Sequence, residues 1–236
     1  MRKLIIIPTY NERENIEAMV EKVLSLVGDY SILIVDDGSP DGTATIVKRL
    51  IEAHPERLFL LEREGKLGLG TAYIAGFRWA LDRGYEAVYE MDCDFSHDPD
   101  DLVRLTAELE QGADVAIGSR YVSGVNVVNW PMRRLLLSFC ASRYVGCITR
   151  MPVRDATAGF VAYRAEVLRT IDLSRVRMKG YGFQIEMKYT AWKLGFNIKE
   201  VSIIFRDRTL GTSKMSGSIF GEAFWGVLGL RFRRFS

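Results

Sequence analysis

Leu4-Ile5-Ile6-Ile7 has no polar residue at either parity of the run. A strand with one wet face alternates apolar and polar side chains, so an unbroken apolar run marks a strand covered on both faces, as in parallel sheets. The pattern returns at Ile32-Leu33-Ile34-Val35, at Leu58-Phe59-Leu60-Leu61, in the stretch running up to Met91, and at Val115-Ala116-Ile117-Gly118. Helical spacing fills the intervals: Ile16, Met19, Val20, Val23 and Leu24 form one stripe, and Ile46, Val47, Leu50 and Ile51 another. A third helix is expected from about position 70 to 83. Such alternation calls for an α/β fold, a mainly parallel sheet flanked by helices. After Ser119-Arg120-Tyr121 the order changes. A loop is expected over 124–129, helices over 132–150 and 183–194, and strands over 160–163 and 198–205, followed by a basic loop over 206–214.

The chain of 236 residues, 48% hydrophobic, is long enough for one large core. Its 32 basic and 30 acidic residues leave a net charge of +2, which gives no support to nucleic acid as a partner. Cys93, Cys140 and Cys147 lack metal spacing and cannot all pair, so they read as reduced thiols of a cytosolic protein. Cys140 and Cys147, seven apart, are expected to face the core. Met1-Arg2-Lys3 leads straight into the first strand, too short a run for a signal peptide, and no stretch reaches the roughly 18 apolar residues of a membrane span.

The most informative segment is Tyr85 to Pro99, a buried strand followed by Asp92-Cys93-Asp94-Phe95-Ser96-His97 and a new helix. Asp98 suits the N-cap, Pro99 the first helical position, and Asp100 and Asp101 the positive helix start. If strand geometry persists, Asp92 and Asp94 point to the same side. Two such carboxylates repel unless a cation lies between them, and hard oxygen ligands select Mg2+, Mn2+ or Ca2+. A D-x-D pair alone is more often two solvated loop acids. Here acidic residues also follow the second strand, and Tyr10 and Glu12 follow the first, at the carboxyl ends where open α/β sheets bind ligands.

Other signals are weaker. Gly65 to Gly70 lacks dinucleotide-binding spacing, because Tyr73 stands where Gly or Ala is needed, and reads as a turn into a helix. Asp37 to Gly42 resembles part of a calcium loop, but Lys48 replaces the required Glu. Asn11 with Glu14 has the form of a capping box. His97 reads as structural and His54 as surface. Arg133 and Arg134 are either a solvated face or, with Arg120, Arg208 and Lys214, the surround of an anion-rich substrate.

Ile5-Ile6-Ile7-Pro8-Thr9-Tyr10-Asn11-Glu12, Val35 to Thr43, Met91 to His97, Gly118-Ser119-Arg120-Tyr121, Asp155 to Phe160, Gly182 to Glu186, and Asp207-Arg208 with Gly211 to Lys214 occur in a characteristic order and spacing. The set resembles the dolichol-phosphate (polyprenol-phosphate) mannosyltransferases of glycosyltransferase family 2, which have the GT-A fold. The resemblance implies a catalytic domain over 1–214 and a C-terminal appendage over 215–236. It implies that Pro8, Tyr10, Glu12 and Asp37 line a nucleotide pocket and that Asp92 and Asp94 hold Mg2+ or Mn2+ on the sugar diphosphate. Arg120, with Arg133 or Arg134, would meet the acceptor phosphate, and Arg208 and Lys214 would close over the phosphates. Ser96 stands where some members carry a Gln metal ligand, and many relatives continue into membrane-spanning helices beyond the point where this sequence stops. The implied reaction moves mannose from GDP-mannose to a polyprenyl (dolichyl) phosphate. A UDP-glucose-dependent glucosyltransferase and a non-catalytic nucleotide-sugar binder are the alternatives.

A lipid acceptor places such a protein at the cytoplasmic face of a membrane. The segment 216–235 carries Ile219, Phe220, Ala223, Phe224, Val227 and Leu228 at helical spacing, with Trp225 among them and Arg231, Arg233 and Arg234 at the end. This is the pattern of a helix lying among lipid headgroups. The same stripe suits packing on the catalytic domain or on a membrane-bound partner subunit.

Overall fold

The computed structural model describes residues 1–178, 180–207 and 218–233. Arg208 and Lys214 lie outside the described residues. The five apolar runs form β1 (Lys3–Thr9), β2 (Tyr30–Asp36), β3 (Leu58–Glu62), β4 (Ala87–Glu90) and β5 (Val115–Ser119). Between them run α1 (Ile16–Leu24), α2 (Thr43–Ala53), α3 (Leu69–Asp82) and α4 (Asp101–Glu110). β1 pairs in parallel with β2 on one side and β4 on the other, and β3 pairs in parallel outside β2. The strand order therefore reverses between β1 and β4, the switch point where a ligand crevice opens at the carboxyl ends.

The second half of the chain comprises β6 (Val127–Val128), α5 (Met132–Thr149), β7 (Val161–Arg164), α6 (Ala165–Thr170), α7 (Gly180–Lys193), β8 (Ile198–Ser202), β9 (Phe205–Arg206) and α8 (Ser218–Phe232). β7 enters antiparallel between β4 and β5, and β8 closes the edge parallel to β5, giving the order β3-β2-β1-β4-β7-β5-β8. The strand expected over 198–205 is two strands. After the Ile203 amide bonds to Ser119, the chain leaves the sheet, and β9 pairs with β6 inside the expected 124–129 loop.

The uniform apolarity of β1 has a direct structural cause. Leu4 and Ile6 join the core under α3 and α7, while Ile5 and Ile7 join the core under α1, α2 and α4. Burying each such side chain contributes about 1.5–3 kcal/mol. α3 approaches β1 so closely that a Cβ on Gly76 would lie 2.8 Å from Ile6. α8 belongs to the same packing: Val227 and Leu230 are buried, and Phe224 stacks on Tyr144 of α5 with ring centroids 4.8 Å apart. Cys140 and Cys147 are exposed, contrary to expectation. α5 turns Ser142, Val145 and Thr149 inward, and Cys140 and Cys147 each stand two residues before one of these, about half a turn off that face.

The loops at the carboxyl edge brace one another. The amides of Asn11, Glu12 and Arg13 donate to Ser39 Oγ (3.0 Å), Thr43 Oγ1 (3.1 Å) and Asp41 Oδ2 (3.1 Å), which ties the loop after β1 to the loop after β2. The capping box of Asn11 and Glu14 does not form. Asn11 sits at φ 57°, α1 begins at Ile16, and Asn15 Nδ2 instead donates to Glu12 Oε2 at 3.0 Å. Asp98 is not the N-cap: α4 begins at Asp101 with Asp100 at that position, and Asp98 instead turns the chain into the helix by accepting from the Asp100 amide at 3.1 Å.

His97 fixes the loop after β4. Its ring stacks on Phe160 at 5.0 Å and meets Phe205 edge-on at 5.3 Å, and Nδ1 accepts from the Asp92 amide at 3.3 Å. Burial pulls its pKa down from the ordinary 6.5 to about 4, so the folded protein holds it neutral. Between those two values the unfolded chain binds more protons, and stability falls as pH drops through the window. The contribution lost is on the order of 3 kcal/mol. We expect the unfolding midpoint to decline from about pH 6.5 to about pH 4. His97→Asn, which keeps an acceptor for the Asp92 amide but cannot titrate there, should flatten the decline. Identical pH profiles for the two proteins would contradict this account.

Candidate active site

A cavity of about 420 Å3 opens at the carboxyl edge. Asp92, Asp94 and Ser96 reach it from the loop after β4, Arg120 from the end of β5, Arg133 and Arg134 from α5, and Gln184 from α7. Five of the expected site residues (Asp92, Asp94, Arg120, Arg133 and Arg134) thus share one space.

The two carboxylates are not held by strand pleating, because β4 ends at Glu90 and Phe95 takes a left-handed φ of 57°. The loop itself orients them. Asp94 is buried and its Oδ1 accepts from the Ser96 amide at 3.1 Å, while the Asp92 backbone is pinned by His97. Ser96 Oγ is buried at the cavity wall without a hydrogen-bond partner among the described residues.

Arg120 is held rigidly. Nε and Nη2 bond the two Asp155 oxygens at 2.7 and 2.6 Å, Nη2 also bonds Thr157 Oγ1 at 2.9 Å, and the Arg120 amide donates to Asp155 Oδ2 at 2.9 Å. The guanidinium lies 5.4 Å from the Trp130 ring centroid and 5.6 Å from that of Phe205. Burial alone would raise the Asp155 carboxyl, but the charge and hydrogen bonds of Arg120 overcome it and hold the group below the ordinary carboxylate range. Arg134 pairs with Asp207 at 2.6 Å and stacks over Trp130 at 4.3 Å. Arg133 is exposed and, among the described residues, makes no ion pair.

Pro8, Tyr10, Glu12 and Asp37 lie at the carboxyl ends of β1 and β2, outside the lining of this cavity. Asp37 is buried 3.1 Å from Arg63, and burial raises its carboxyl despite that charge. Lys66 sits 5.1 Å over the Tyr10 ring. The glycines of 65–70 form a turn into α3, with Gly68 at its N-cap. A Cβ on Gly70 would meet Phe183 at 2.9 Å, so α3 and α7 touch there. Glu186, the spare carboxylate of the sequence, is buried away from the cavity lining. It accepts from the amides of Arg177 (3.0 Å) and Met178 (2.8 Å) and from Arg233 of the C-terminal segment.

Sequence reasoning missed Asp155 and Thr157 as the holders of Arg120, although both stand in a segment it singled out. It also missed Gln184 and Lys188. The available signal was their i, i+4 spacing in a helix, whose residues 183–191 are all buried.

Residues 4–172 match the model of glycosyl transferase family 2. The chain is 51% identical over 233 residues to the polyprenol monophosphomannose synthase of Mycolicibacterium smegmatis, covering 97% of this chain and 88% of the relative. It is 47% identical over 232 residues to the undecaprenyl-phosphate mannosyltransferase of Micrococcus luteus, covering 96% and 95%. Among solved structures, glucosyl-3-phosphoglycerate synthase of Mycobacterium tuberculosis superposes with a TM-score of 0.71 at 19% identity, over 98% of this chain and 79% of that one. A mannosyltransferase of Pyrobaculum calidifontis, in complex with GDP-Man and Mn2+, superposes at 0.61 with 17% identity, over 98% and 72%. The last two likenesses concern the fold, and the first two the family: the chain belongs to glycosyl transferase family 2.

Proposed function

We propose that this protein transfers mannose from GDP-mannose to a polyprenyl phosphate, giving the polyprenyl phosphate β-mannoside with inversion at the anomeric carbon. One observation carries the reading: a single cavity is lined by Asp92 and Asp94 on one side and by three arginines on the other, with Asp207 paired to Arg134, which suits a metal-bound diphosphate meeting a second phosphate. The names of the two close relatives, both enzymes that mannosylate a polyprenyl phosphate, support the sugar and the acceptor.

The donor set fits a hard divalent cation. Among the described residues no group of three or more His, Cys, Asp or Glu could hold a metal alone, so Asp92 and Asp94 would supply two ligands and donor phosphate oxygens the rest. The unpartnered Ser96 Oγ beside them is consistent with a polar occupant. When bound, Mg2+ or Mn2+ would stabilise charge on the departing nucleoside diphosphate. Pro8, Tyr10, Glu12 and Asp37 would seat the nucleotide along the adjoining strand ends, with Arg208 and Lys214 closing over its phosphates. Arg120, Arg133 and Arg134 would hold the acceptor phosphate. A phosphate monoester, with a second pKa near 6, is already an anionic nucleophile at neutral pH. No strong base is required, and Glu186 is engaged elsewhere.

The protein would work as a peripheral protein on a membrane surface. No helix among the described residues is long and apolar enough to cross a membrane. α5 and α8 pack together and leave Leu136, Phe139, Phe224, Trp225 and Phe232 exposed, with Arg143 and Arg231 also exposed on these helices. Apolar side chains interspersed with arginines suit anionic headgroups. Removing α8 would also remove Val227 and Leu230 from the core, so surface substitutions are the cleaner probe. Trp225→Ser with Phe232→Ser should reduce flotation with anionic liposomes while leaving the melting temperature nearly unchanged. Undiminished flotation would place the lipid contact elsewhere on the protein, and absence of flotation for both proteins would point to a membrane-bound partner subunit.

Chelation with EDTA should abolish transfer, and Asp94→Ala should lower kcat by about 100-fold or more with the fold retained. Full turnover by Asp94→Ala in metal-free buffer would overturn the assignment. A donor panel, GDP-mannose against UDP-glucose with a short polyprenyl phosphate, tests the sugar.

Donor and acceptor groups are separable by substitution. Arg120→Ala is a poor probe, because it strands the buried Asp155 and costs about 3–5 kcal/mol of stability. Arg133→Ala should raise KM for the lipid phosphate roughly 3- to 10-fold, a modest effect because water screens an exposed charge. Asp37→Asn should mainly weaken GDP-mannose binding. A loss confined to donor binding in Arg133→Ala would refute the division.

A further inference from the structure

Lys188 has no exposure to water, and neither do its neighbours in α7, Met187 and Tyr189. A buried ammonium is unfavourable unless hydrogen-bonded, so its partners indicate what it does. Nζ donates to the carbonyl oxygens of Ala156 at 3.1 Å and Ala158 at 2.5 Å. Those two carbonyls flank Thr157 and follow Asp155, the two residues that grip Arg120. The same segment is tied from its other side, where the amides of Arg154 and Asp155 donate to Glu200 of β8 at 2.8 and 2.9 Å.

One helical turn before Lys188, Gln184 borders the cavity, and its Oε1 lies 3.5 Å from the ammonium. Its Nε2 donates at 2.7 Å to Glu90, the last residue of β4 and two residues before Asp92. α7 thus sends two polar side chains beneath the cavity. One meets the strand that carries the acidic loop, and the other meets the loop that positions Arg120.

We infer that Lys188 is a positioning residue for the acceptor phosphate: through the carbonyls of Ala156 and Ala158 it fixes Asp155 and Thr157, and through them the pose of Arg120. This rests on Arg120 serving the acceptor, as proposed above. Lys188 touches no substrate and acts on the reaction only through the loop. A purely structural lysine, present to balance the buried Glu90, would have a different signature, since removing both charges would then restore everything.

The test compares Lys188→Met, Glu90→Gln/Lys188→Met and Arg120→Lys, each assayed for KM toward GDP-mannose and toward a short polyprenyl phosphate, with melting curves. We expect both Lys188 variants to raise the acceptor KM about tenfold or more while the donor KM changes by less than about twofold. The double variant should regain melting temperature without regaining acceptor affinity. A double variant with wild-type acceptor KM would overturn the inference, as would equal rises in both KM values. Loss of cooperative melting in both variants would make Lys188 a folding residue and overturn it too. Arg120→Lys separates the premises. If it leaves acceptor KM unchanged, the assignment of Arg120 fails; if it raises acceptor KM and Lys188→Met does not, only the role of Lys188 fails.

Discussion

The bidentate pair of Arg120 and Asp155 is the interaction on which the site depends. Both groups are almost fully removed from water, a costly state that persists only because their hydrogen bonds are nearly complete. The pair joins the end of β5 to the segment preceding β7, and Glu200 extends the tie to β8. It therefore fixes the three strands that distinguish the second half of the sheet from the first. In the proposed acceptor role, an arginine already immobilised would lose little further freedom when an anion arrives, and the aromatic rings lie close around it. Charge recognition there would be set by the fold before any ligand binds.

The same principle divides the cavity. The acidic loop after β4 is shaped by hydrogen bonds within itself and by His97, while the basic groups come from β5 and α5. His97 contacts both halves: its Nδ1 holds the Asp92 amide, and its ring packs on Phe160 and Phe205, the latter also beside Arg120. Positive and negative walls are thus built on one packed unit and do not drift independently.

Most of the first half of this architecture was legible in the sequence, because an apolar run buried on both faces leaves an unambiguous pattern, as β1 and β2 show. The position of Asp92 and Asp94 at a carboxyl edge followed from their place after a strand, whereas the convergence of Arg120 on them was not legible and is seen only in the shared cavity. The antiparallel entry of β7 was not legible, since a four-residue apolar segment carries no trace of its direction. Nor was the grip of Asp155 on Arg120, which are separated by 35 residues with no local periodicity to link them. The thiols of α5 were misread for a simpler reason. Seven-residue spacing places two groups on one face but does not say which face is buried, and here Ser142, Val145 and Thr149 define it. The glycosyl transferase assignment came from ordered motifs, whose residues are gathered by tertiary contacts that the motifs do not describe.

The electrostatic demands of the reaction explain why such a site can lack a catalytic base. An alcohol acceptor must lose a proton as it attacks, and an enzyme using one needs a carboxylate or histidine within reach. A phosphate monoester brings its negative charge with it, so the problem becomes bringing an anion toward a donor that is itself polyanionic. In the proposed site, arginines on one side and a cation on the other would answer that problem directly. The two groups that might have served as bases are both committed to architecture. Burial keeps the His97 imidazole neutral, and its Nδ1 accepts a backbone amide. Glu186 binds the amides of Arg177 and Met178 and the guanidinium of Arg233, so the helix that borders the cavity is tied to the end of the surface helix. Through that carboxylate, the part of the molecule best suited to touch a membrane is linked to the wall of the cavity where a lipid phosphate would react.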